Sequence, residues 1–176
     1  MIRFIHIPKN AGTTVGKMLG RNSIPFVVGE GEQQHTRHRL ARDFRDGLDS
    51  FAIVRDPYTR MVSWYEWCCR LPKYSAIPFD EFVLAKYNKG RAKRAWMTQT
   101  EWTHDLMHQT QLVTHILKYE HLQHDLSELF PSIQGKWLHL NGSGIEDYDA
   151  YYSSLTRDAV TAAFYEDFIN FGYDTK

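Results

Sequence analysis

The sequence predicts an α/β fold, with a mostly parallel central sheet flanked by helices on both faces. Short apolar, β-prone runs alternate with segments of helical periodicity, and two strand-to-helix junctions carry turn and capping chemistry. At 176 residues the chain falls in the range of a single domain, expected to span 1–176. A hydrophobic fraction of 43%, with ten Phe, ten Tyr and five Trp, excludes a disordered chain. The 21 basic residues balance 21 acidic ones, so no global field draws the protein to nucleic acid or acidic lipid, and any anion site must be local.

Ile2 to Ile7 reads as a buried strand ended by Pro8, and Val15, Met18 and Leu19 then recur at helical spacing until Gly20. Pro25 to Val28 reads as a second strand, and Arg37 to Phe44 as a charged helix before the turn at Asp46 and Gly47. Phe51 to Val54 is a third strand. Asp56 can cap the helix that follows, Pro57 suits its first position, and Met61, Trp64, Tyr65 and Cys68 supply its periodicity. Phe79 to Tyr87 and Trp102 to Gln111 read as helices, Val113 to Leu117 as a strand, and His121 to Leu129 as a helix closed by Pro131. Thr156 to Phe168 reads as one helix capped by Thr156 and packed on the sheet. No apolar run is long enough for a membrane span. Cys68 and Cys69 are adjacent and cannot close a useful loop, so reduced thiols and a cytoplasmic location are expected.

Ligands of open α/β sheets bind beyond the carboxyl ends of the strands, and both junctions fall there. PKNAGTT follows the first strand directly. Backbone N–H groups of Ala11 to Thr14 would face outward at a helix start, where the macrodipole favours an anion. This is not a Walker A loop, because Lys9 precedes Gly12 rather than following it. In VRDPYTRMVSWY, Arg55 closes a strand while Arg60 and Ser63 share a helix face, so a guanidinium fork and a hydroxyl are offered to one anion. Arg60 has the competing reading of a surface partner for Asp56.

FIHIPKNAGTTV followed by FAIVRDPYTRMVSWY resembles the two nucleotide-binding signatures of the sulfotransferases that use 3'-phosphoadenosine 5'-phosphosulfate (PAPS). The carbohydrate branch, which includes heparan sulfate 2-O-sulfotransferase and small bacterial or phage-type relatives, is nearest in pattern. ILKYEHLQHDL, LHLN and YEDFINFGY extend the resemblance over nearly the whole chain. It implies a P-loop-like three-layer sandwich and PAPS as sulfuryl donor, with no metal. Lys9 matches the lysine at the transferring group, and Gly12, Thr13 and Thr14, with Pro8, Asn10 and Ala11 around them, match the 5'-phosphate loop. Arg55 and Ser63 match the 3'-phosphate ligands, and Asn141 and Ser143 a late loop against the nucleotide. Asn10 departs from the threonine often found in relatives. A histidine beginning the helix between the two motifs is the implied base, which makes His35 the first choice and His38 the reserve, with Glu30 or Glu32 also conceivable.

Arg91, Lys93 and Arg94 suit an acidic acceptor, and Trp96 and Trp102 suit stacking on sugar faces, which points to a saccharide hydroxyl. Two rival functions remain. HDLMH places His104 and His108 on one predicted helix face, with His121 and His124 as further imidazoles, as a metal-dependent hydrolase would need. A nucleotide-binding module without catalysis is the other. Acceptor identity and oligomeric state are not readable from the sequence.

Overall fold

A computed structural model describes residues 1–28, 38–72, 75–85, 94–107, 109–133, 145 and 147–176. The chain divides into two compact units, one of residues 1–55 with 99–141 and the other of residues 56–98 with 142–176.

The first unit holds a four-stranded parallel sheet ordered β2-β1-β3-β6, from β1 (Ile2–Ile5), β2 (Phe26–Val27), β3 (Ser50–Val54) and β6 (His115–Lys118). Register runs Ile2↔Phe26, Phe4↔Phe51 and Ile53↔Leu117. Alternation along the strands puts Phe4, Phe51, Ile53 and Leu117 on one face. There they meet Val15 and Leu19 of α1 (Gly12–Arg21) and Leu126 of α5 (Leu122–Leu129) in one buried cluster. The Phe4 and Phe51 rings stack at 4.6 Å. Each such buried side chain contributes about 1.5–3 kcal/mol, which fixes the strand register and the seat of α1.

In the second unit Asp56 accepts a bond of 2.8 Å from Thr59 N, and Pro57 opens α2 (Pro57–Cys69) as expected. Such a cap is worth about 1 kcal/mol. Tyr58, Met61 and Trp64 of α2 pack with Phe79 and Phe82 of α3 (Phe79–Leu84) and with Val160, Phe164 and Phe168 near the C-terminus. Among the described residues no helix is long and apolar enough to cross a membrane.

Three predicted helices are corrected. Of the expected 37–44 helix, the described residues 38–44 form only a single 3₁₀ turn at Ala41–Asp43, with Leu40 and Phe44 extended on either side. Tertiary contacts outweigh the local pattern: His38 Nδ1 bonds the His6 carbonyl, and the Arg3 guanidinium lies 3.8 Å over the Phe44 ring and pairs with Asp46. The 102–111 segment ends its helix early. α4 is Gln99–Thr103, and the chain then turns back as a hairpin of β4 (His104–Asp105) and β5 (Thr110–Gln111). Asp105 accepts from Met107 N at 3.0 Å and Gln109 adopts φ 51°, local bonding that displaces the helical alternative. The 156–168 segment is two helices, α6 (Ser154–Ala163) and α7 (Tyr165–Phe171), broken at Phe164 with φ −120°. Ser153, not Thr156, is the N-cap; Thr156 closes the capping box, and α6 packs on α2 and α3.

Candidate functional site

From β1 the chain passes through α1 to β2 on one side, then crosses over to β3 on the other. The order therefore reverses between β1 and β3, and in parallel sheets the crevice beyond such a pair is the ligand site. The loop of residues 8–14 leaves β1 there, and Arg55 ends β3 beside it.

Two non-glycine residues of this loop adopt left-handed backbone, Lys9 at φ 73° and Ala11 at φ 60°. Each costs about 1 kcal/mol or more and persists only where neighbours hold it. Ala11 is the N-cap of α1 and supplies no side-chain cap, and the positive end of the helix dipole lies at this end of the helix. Asn10 is the anchor. It is 1% exposed, and its Nδ2 donates to the Ile53 carbonyl at 2.7 Å and to Gln99 Oε1 at 2.6 Å.

Arg55 is buried as well. Its Nη1 donates to the Lys9 carbonyl at 3.2 Å, and its guanidinium lies 4.1 Å from the centroid of the Tyr119 ring. Cation–π contact on one face holds the plane of the fork, which suits planar recognition of a phosphate. Lys9, Asn10 and Arg55, drawn from two sequence motifs, are thus brought to one wall.

His6 packs against the loop from beneath. Its ring occupies the space into which a Cβ at Gly12 would project, so only glycine fits there. The His38 ring lies 4.4 Å from that of His6, and Trp102 approaches His38 edge-on at 6.3 Å. A carbonyl can only accept, so the 2.8 Å bond from His38 to the His6 carbonyl assigns the proton to Nδ1 and makes Nε2 the lone-pair nitrogen of the neutral ring. His6, Gln99 and Tyr119 are site residues that sequence reasoning did not single out. A histidine near the end of the expected Ile2 to Ile7 strand was the available signal for His6. For Gln99 the sequence offers none.

Thr13 is exposed and Thr14 buried in the first turn of α1, behind the buried Pro8. Ser63 lies on α2, 8% exposed. His35, Asn141 and Ser143, like Glu30, Glu32, Arg91, Lys93 and His108, lie outside the described residues. Arg60 is not a surface partner of Asp56: it is 1% exposed, and its Nη1 donates to the Met97 carbonyl at 3.1 Å. Trp102 is buried and offers no face to a sugar, whereas Trp96 is half-buried and stacks on Phe164 at 6.0 Å. The hydrolase reading loses its helix, because His104 sits buried on β4 with Nδ1 2.8 Å from Thr103 Oγ1. His124 is exposed beside Asp125 and Glu128.

The arrangement can bind an anion at a helix start, present a guanidinium next to it, and accept a proton at an imidazole. No curated relative matches the chain at a significant level. The model of the sulfotransferase family matches residues 1–174, a span that takes in the loop of residues 8–14, Arg55 and every element described above, and the chain belongs to that family.

Proposed function

We propose that this sulfotransferase takes PAPS as donor and passes its sulfuryl group to a hydroxyl acceptor, a saccharide, by in-line displacement. Lys9 and the amides of Ala11 to Thr14 hold the 5' end, with Pro8 and Asn10 shaping the turn. Arg55 and Ser63 hold the 3'-phosphate, and Asn141 and Ser143 close the nucleotide from a late loop. A histidine of the 35–38 segment takes the acceptor proton. His35 fits the family pattern, and His38, whose ring lies 4.4 Å from that of His6, is the second choice for the same role. The acceptor oxygen forms its bond to sulfur as the bond from sulfur to the 5'-phosphate oxygen breaks, and Lys9 neutralises the charge left on that phosphate.

The observation that carries this reading is the bond from the Arg55 guanidinium to the Lys9 carbonyl, which sets two cationic residues side by side where the strand order reverses. The saccharide rests on the resemblance to the carbohydrate branch and on exposed Arg94. A cytoplasmic site of action rests on two adjacent thiols that form no disulfide.

Calorimetry with adenosine 3',5'-bisphosphate tests the nucleotide, and transfer of labelled sulfuryl from PAPS to a panel of sugars, phenols and alcohols tests the reaction. Binding with transfer to sugars is the expected result. Binding without transfer to any of them would favour the non-catalytic module, and no binding would end the donor assignment.

A further inference from the structure

Arg3 N donates to the Asp49 carbonyl at 2.8 Å, which shows that the odd-numbered residues of the β3 segment turn their backbone groups toward β1. Ile53 and Arg55 share that parity, but β1 pairs only as far as Ile5↔Ala52 before the chain departs into the phosphate loop. The polar groups past that point are taken by side chains. Asn10 Nδ2 satisfies the Ile53 carbonyl, Gln99 Oε1 accepts from Arg55 N at 2.8 Å, and Gln99 Nε2 donates to the Arg55 carbonyl at 2.8 Å. Gln99, fully buried, therefore grips both backbone groups of Arg55 as a neighbouring strand would. These two bonds fix which amide atom faces which group, and the same Oε1 then receives Asn10 Nδ2.

We propose that Gln99 is a positioning residue that sets the distance and direction between the phosphate loop and the Arg55 guanidinium. The inference rests on the reading above, in which Arg55 takes the 3'-phosphate. One amide joins the two anion-binding elements: it fixes the Arg55 main chain, from which the guanidinium projects, and through Asn10 it holds the turn between left-handed Lys9 and Ala11. A small displacement of such a ligand is enough to lower its contribution markedly.

The test compares calorimetric affinities for adenosine 3',5'-bisphosphate and adenosine 5'-phosphate, whose ratio isolates the 3'-phosphate. Gln99→Met keeps the volume and removes both polar atoms. Gln99→Glu keeps the acceptor and, when ionised, loses the donor to the Arg55 carbonyl. Thermal melts establish that each variant is folded, and the second provides the reading should the first fail to fold. The expected result is a ratio reduced about tenfold in a folded variant, as for loss of a well-aligned charged hydrogen bond. An unchanged ratio in a folded variant, whatever its melting temperature, would assign Gln99 a purely structural role and overturn the proposal. If wild type itself fails to discriminate the two nucleotides, the Arg55 assignment falls first and the proposal with it.

Discussion

The ring of His6 fills the space beside Gly12, so the residue that opens α1 is chosen by a histidine just past β1. Gly12→Ala should destabilise the protein by about 1–3 kcal/mol, as overpacking does, and weaken adenosine 3',5'-bisphosphate binding. Thermal melts and calorimetry read both effects. Because the clash is with a side chain, the double variant His6→Ala, Gly12→Ala should lose less stability than the two single losses added together. Simple additivity would mean that the two residues do not compete for the same space.

Arg55 is held by its fork and its face at once. Arg55→Lys keeps the charge but gives up the planar donor set and the stacking on Tyr119. Affinity for adenosine 3',5'-bisphosphate should fall about tenfold to a hundredfold, with that for adenosine 5'-phosphate little changed. Equal losses for the two nucleotides would place Arg55 away from the 3'-phosphate.

Lys9→Ala should act on turnover instead. A drop of about a hundredfold to a thousandfold in kcat, with bisphosphate affinity nearly retained, is expected for loss of charge stabilisation at the leaving oxygen. Steady-state kinetics alongside calorimetry separates this from a binding defect.

His38→Ala should lower kcat about 10²- to 10⁴-fold while leaving nucleotide binding intact, and the same measurement on His35→Ala decides between the two histidines. Retained turnover in both variants would move the base elsewhere.

Alkaline titration should divide the ten tyrosines. Burial pushes Tyr65 and Tyr151 up to about 12, Tyr151 with help from its bond to Glu66, and burial holds Tyr152 higher still. Their unfolded value is 10.0, so the folded state keeps these protons more tightly. The stability they contribute is present below pH 10 and is lost as pH rises toward about 12. Phenolate absorbance followed together with circular dichroism should show three tyrosines ionising well above pH 10, after the others. Reversible ionisation of all ten near pH 10 would contradict it.

What the sequence disclosed depends on the range of the interaction. Pro8 before a glycine-bearing turn, and Asp56 with Pro57 at a helix start, act within a few residues and were legible. The segments at 37–44 and 102–111 carry helical spacing yet their described residues fold otherwise, because His38 and Arg3 make bonds across the fold and Asp105 makes a turn of its own. Gln99 was silent for the same reason. A buried glutamine that completes a backbone ladder has no local signature, and its partners stand 44 and 89 residues away.

Main-chain pairing is nearly indifferent to residue type, whereas an amide side chain is specified by one codon. By handing the last rungs beside β3 to Asn10 and Gln99, the protein places the spacing between the loop of residues 8–14 and Arg55 under the control of two individual positions. Evolution or an engineer can retune that spacing by point substitution while the hydrophobic interior that secures the strands stays untouched.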